Sequence, residues 1–169
     1  MASEGGRRRA EGDGADEGTM ARRAVSAGRQ RRPAMAQVVI HDLGQARGAL
    51  AAAAELGCAV ELRSAPGAAA YAGVGYLKAL GEAAGHELLI DCGDDPGIAM
   101  AALRTGCRRL SFAGAAEAAQ RLREMAEQVG AVLVHETGVP AALELAPEDD
   151  AAAMVRAQLQ REAGQGNKR

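Results

Sequence analysis

Four times in this chain an alanine-rich stretch of helical character runs into a glycine and at once becomes a short strand-like run. The junctions are Leu56-Gly57-Cys58, Ala84-Gly85-His86, Thr105-Gly106-Cys107 and Val129-Gly130-Ala131. Glycine enters the left-handed conformation without a Cβ penalty, so one placed just past a helix closes it. A stop signal repeated before each strand is the pattern of βα units around a parallel sheet. Each strand then ends in polar residues, at Arg63-Ser64, Asp91, Ser111 and His135-Glu136. The fold class is therefore legible as α/β, a five-stranded parallel sheet of repeated βα units, while no motif names a reaction.

The order of elements follows from Met35 onward. Strand one covers about 37–41 and helix one about 43–56, with Asp42 as N-cap and Gln45 placed to reach back. Strand two covers about 59–63, helix two 66–83 and strand three 87–91. Asp95-Pro96 opens helix three as an N-cap followed by proline at the first helical position. Strand four covers 108–112, helix four 115–129 from a start near Gly114, and strand five 132–135. A last helix is expected over 147–163, with Glu148, Asp149 and Asp150 at its positive end. Gly73-Val74-Gly75 falls within helix two and reads as a close-packing face. Three segments result: an extension over 1–34, a βα domain over 35–140, and a C-terminal helix and tail over 141–169. Residues 1–34 mix arginine clusters with glycine and acids and lack an apolar period, which predicts disorder. Met35, directly before the first strand, is an alternative start.

Two sheet orders fit. A flavodoxin-like three-layer sheet in order 2-1-3-4-5 puts strand two at an edge, where its polar alternation (Glu61, Arg63) costs nothing. A half-barrel in order 1-2-3-4-5 turns Glu61 and Arg63 into a cavity.

Composition limits the partners. The formal net charge of −2 and the 2% aromatic content leave neither a basic stripe nor stacking platforms for nucleic acid. No run approaches the roughly 18 apolar residues of a membrane span, and the N-terminus has no continuous apolar stretch of a signal peptide. Three cysteines, Cys58, Cys92 and Cys107, form no CxxC pair and no zinc spacing; they read as reduced core thiols of a cytoplasmic protein.

In either sheet order, ligands bind at the carboxyl ends of the strands. Arg63-Ser64-Ala65-Pro66-Gly67 puts a guanidinium beside helix-start amides, a place for an anion, and Gly114 before helix four could expose amides in the same way. His41 ends strand one on the same rim. Asp91 ends a buried strand with no helix to cap, and Glu61 and His135 have the chemistry of general bases. A metal is not expected at these residues, and no cofactor is implied, since neither GxGxxG nor a Walker pattern follows strand one.

The run Cys58-Ala59-Val60-Glu61-Leu62-Arg63-Ser64-Ala65-Pro66-Gly67-Ala68 resembles the second strand of the keto-deoxy-phosphogluconate aldolases, which read Glu-Val-Thr-Leu-Arg-Thr-Pro there. The likeness extends loosely over 36–136 and includes Met100-Ala101-Ala102-Leu103-Arg104-Thr105-Gly106-Cys107. It implies a (βα) barrel scaffold and a lyase acting on phosphorylated keto acids through a lysine Schiff base. Aligned on Arg63, however, the family's glutamate falls at Ala59, and no lysine occurs between 79 and 167. The chain is also slightly similar to a response-regulator receiver, with Asp42 and Asp91 after strands one and three, but His135-Glu136 stands where a receiver has its lysine.

The sequence thus leads to a small α/β domain that binds a small anionic ligand, phosphate or carboxylate, at its strand ends, with a homodimer as a possible assembly. The alternatives are an aldolase-like lyase or isomerase using Glu61, His135 and Asp91, and a non-catalytic adaptor docking through its C-terminal helix.

Overall fold

The computed structural model describes residues 35–165. The expected disordered extension 1–34 and the last four residues lie outside them. The elements are β1 (Met35–Ile40), α1 (Leu43–Leu56), β2 (Ala59–Ser64), α2 (Ala68–Tyr71), α3 (Val74–Ala84), β3 (Ile90–Asp91), α4 (Pro96–Thr105), β4 (Arg109–Phe112), α5 (Ala116–Gln128), β5 (Val132–His135), β6 (Ala142–Glu144) and α6 (Ala151–Gln165).

All four junction glycines are left-handed, with φ of 62° at Gly57, 69° at Gly85, 84° at Gly106 and 70° at Gly130. The helix starts also follow their residues. Asp42 accepts from the Gln45 amide at 2.8 Å, and Gln45 Oε1 accepts from His41 N at 2.8 Å. Asp95 caps α4 through the Gly97 amide at 2.7 Å. The single helix expected over 66–83 is in fact two, because Gly73 takes a φ of 84° between α2 and α3. The close-packing role expected of the neighbouring Gly75 is not found: a Cβ there would meet nothing within 4 Å.

Every strand pairing is parallel, but the strands do not form the single five-stranded sheet that the pattern predicts. They form two three-stranded sheets, in orders β2-β1-β6 and β3-β4-β5. The join between them is one residue wide. Leu89 N donates to Leu62 O at 2.9 Å and Ser64 N to Leu89 O at 3.0 Å, with Arg63 opposite Leu89. The 2-1-3-4-5 order fails because the second neighbour of β1 is β6, not β3. The sixth strand is only Ala-Leu-Glu, paired to β1 from Gln37 to Val39, and three residues are too few to show alternation.

Side chains alternate between faces along each strand, and registered partners in a parallel pair share a face. Val38, Ile40, Leu62, Ile90, Leu110 and Leu133 occupy one face and are buried against the helices. The helices neighbour one another in the order α6, α1, α3, α4, α5, following the strands. Alanine makes this possible: Ala46, Ala49, Ala52 and Ala53 of α1 are buried, as are Val155 and Leu159 of α6. At Gly48 the helices approach so closely that a Cβ would stand 3.2 Å from that of Ala151. Among the described residues no helix is long and apolar enough to cross a membrane.

Candidate functional site

The face turned away from the helices carries the charges. Strand alternation and register put Gln37 and Val39 of β1, Glu61 and Arg63 of β2, Leu89 and Asp91, Arg109 and Ser111 of β4, and Val132 and Val134 of β5 on it together. Arg63 is its centre. The side chain is 1% exposed, which isolated charge cannot tolerate, and its donors are spent on neighbours. Nη2 donates to Asp91 Oδ2 at 2.7 Å, Glu136 Oε2 at 3.1 Å and Ser111 Oγ at 3.3 Å. Nη1 donates to Glu136 Oε1 at 2.9 Å and Gln37 Oε1 at 3.4 Å. Burial works against the charge on Arg63, but its hydrogen bonds and attraction to Glu136 and Asp91 outweigh that and hold its pKa above the ordinary value.

The same contacts span this surface. Strand spacing of about 4.8 Å would put β2 and β5 roughly 14 Å apart on a flat sheet. Arg63 takes both oxygens of Glu136, the residue that follows β5, and so ties β2 to the far side of β3 and β4.

A second charged group lies toward the amino ends of the strands. Glu61 is 7% exposed, accepts from Gln37 Nε2 at 2.7 Å, and pairs with Arg109. Arg109 is different from Arg63. Its side chain is 43% exposed, and its Nε is buried without a hydrogen-bond partner.

The expected site residues separate into those on this face and those elsewhere. Arg63, Asp91 and Glu61 share it. Ser64 points away and accepts from the Asp91 amide at 2.9 Å, while Asp91 Oδ1 accepts from Gly93 N at 2.9 Å, so β2 is tied to the backbone of Asp91 and the following loop to the carboxylate that holds Arg63. His41 stands at the rim, 3.9 Å from Glu144. His135 leaves the opposite side of β5 from Val134; its Nε2 is 2.9 Å from the Gly114 carbonyl oxygen and its ring lies 6.4 Å from that of Phe112. Glu61 and His135 are therefore not brought to one point. Gly114 has a packing explanation: a Cβ would overlap the Phe112 ring and sit 2.9 Å from the Asp94 carbonyl oxygen. Among the described residues no group of three or more His, Cys, Asp or Glu is arranged to hold a metal ion.

No protein-family model and no curated protein matches this chain. The site must therefore be read from its own geometry. Gln37 and Arg109 escape the sequence reading, although both are polar residues in strands that otherwise look buried. Their parity relative to Arg63 would have revealed them once the strand order was known. A cleft of about 440 Å³ also opens at the amino ends of β3 and β4, lined by Lys78, Glu82, His86, Cys107 and Arg108. There Lys78 is paired with Glu82, and burial pushes the Cys107 thiol up.

Proposed function

We propose that this chain is a ligand-binding α/β domain, a half-barrel whose charged face takes a small carboxylate. One observation carries the reading: Arg63 holds Glu136 through both guanidinium nitrogens and both carboxylate oxygens, at 2.9 and 3.1 Å. That is the geometry by which arginine recognises a free carboxylate. Asp91, besides its pair with Arg63, is fixed at a strand end by two further contacts. Glu136 instead lies past β5, on the segment that runs to β6 without a helix. A ligand carboxylate that displaces the Glu136 side chain from Arg63 keeps the number of charge-assisted hydrogen bonds constant.

Carboxylate is favoured over phosphate on charge. The face sets two guanidinium groups against four carboxylates, those of Glu61, Asp91, Glu136 and Glu144, and residues 35–165 hold ten basic and seventeen acidic side chains, a formal net charge of −7. A singly charged ligand meets less repulsion there than a doubly charged one. The likeness of the second strand to that of the keto-deoxy-phosphogluconate aldolases, which act on phosphorylated keto acids, supports a keto acid held through its carboxylate.

Thermal unfolding in acetate, pyruvate and phosphate tests the proposal. Glu136→Gln removes the competing carboxylate, and a charge-assisted hydrogen bond of about 1.5–3 kcal/mol corresponds to a gain of about tenfold or more in carboxylate affinity. Pyruvate should raise the midpoint of Glu136→Gln more than that of the parent chain, and phosphate should act less than either carboxylate. No carboxylate-dependent shift in either protein would end this reading.

A further inference from the structure

We infer that Arg109, Val132 and Val134 form a second contact on the charged face, one that selects carboxylates bearing a short apolar chain. On this face Val39, Glu61, Arg63, Leu89, Asp91 and Ser111 are all buried. Val132 and Val134 are not: they are 60% and 41% exposed. Two residues apart on β5, they stand on one side about 6.6 Å from each other, in register with Arg109 and Ser111 of β4. Among the described strands, β5 pairs only with β4, so the two valines line an open flank of the face.

Arg109 supplies the charge for this flank. Unlike Arg63, it has one terminal nitrogen on Glu61 and no protein acceptor for the other among the described residues. Its Nε is buried and unpaired, so the guanidinium is not satisfied by the protein alone. An anion reaching Arg109 finds the terminal nitrogen Nη1 without a protein acceptor among the described residues, and a terminal guanidinium nitrogen offers a carboxylate charge-assisted hydrogen bonds. An alkyl chain attached to that carboxylate then covers the two valines. A cation finds no acceptor on Arg109, and a bare anion leaves the valines wet, so the complementary ligand is a monocarboxylate with a chain of a few carbons.

This contact goes beyond the Arg63–Glu136 exchange and does not need Glu136 to move, so the two fail separately. The test is calorimetric titration of the full-length chain with hexanoate, acetate and hexylamine. Hexanoate should bind about tenfold more tightly than acetate, as expected when four methylenes are about half removed from water, and hexylamine should not bind. Arg109→Gln should weaken hexanoate at least tenfold. Should that variant fail to fold because Glu61 loses its partner, Val132→Ser and Val134→Ser, both at exposed positions, still decide: each should weaken hexanoate about threefold and leave acetate unchanged. Glu136→Gln should leave the preference of hexanoate over acetate intact. Equal binding of hexanoate and acetate, or valine variants without effect, overturns the proposal. So does sedimentation as a dimer that Val132→Ser dissociates, for the valines would then be covered by a second copy of the chain.

Discussion

Arg63 is the residue on which the charged face depends. It is held by carboxylates from two different places in the fold, Asp91 at a strand end and Glu136 past another. Arg63→Met would keep much of the volume but leave those carboxylates without their cation. Removing one partner from a buried ion pair typically costs 3–5 kcal/mol, and a loss of that size is expected in urea unfolding of Arg63→Met. A loss below about 1 kcal/mol would show that Asp91 and Glu136 turn to water instead. Two thiols make a separate prediction at this scale. Burial, and then the charges of Asp91 and Cys107, push Cys92 up to about 12, and burial pushes up Cys107. Above pH 9 the unfolded chain releases protons that the folded chain keeps, so the unfolded state binds fewer and stability must fall as pH rises from 9 toward 12. Below pH 9 this contribution is constant. Cys92→Ala should therefore flatten the decline of the urea midpoint between pH 9 and 10.5; a decline as steep as that of the parent chain would assign it to other groups.

Among the elements, α6 and β6 reach furthest back along the chain. β6 pairs with β1, and Arg156 of α6 bonds Glu55 of α1 at 2.7 Å. Val155 and Leu159 are buried, each stabilising the fold by roughly 1.5–3 kcal/mol. The sequence reading makes 141–169 a helix and tail that could serve a partner, and such a tail would be dispensable for folding. A chain ending at residue 140 discriminates. Loss of its cooperative thermal transition is expected; an unchanged midpoint would return the helix to a docking role. The glycine junctions were legible because a left-handed residue after a helix is a local demand that one residue meets. The break of helix two at Gly73 was not, since glycine inside an alanine-rich run reads equally well as packing or as a turn. Neither was β6, whose pairing comes wholly from β1, about a hundred residues earlier.

At the scale of the whole molecule, the rim of the candidate site could be located from the strand-end polar residues, but its wiring could not. The sequence reading leaves Arg63 free to hold an anion because Asp91, Glu136 and Gln37 are 28, 73 and 26 residues away from it. Only the strand order and register bring them together. The same order removes His135 from the network, by placing it on the side of Phe112.

The pairing of the first strand with the last also has a temporal consequence. During synthesis the chain emerges from its N-terminus, so β1 and α1 are made early, while the strand and helix that cover them arrive about a hundred residues later. Contacts of such long sequence separation form slowly, because the entropy of closing the loop must be overcome first. Throughout that interval the nascent chain exposes an unpaired strand edge and an alanine-lined helix flank, the kind of surface that holding chaperones engage. The fold around β1 and α1 is complete only once β6 and α6 have been made.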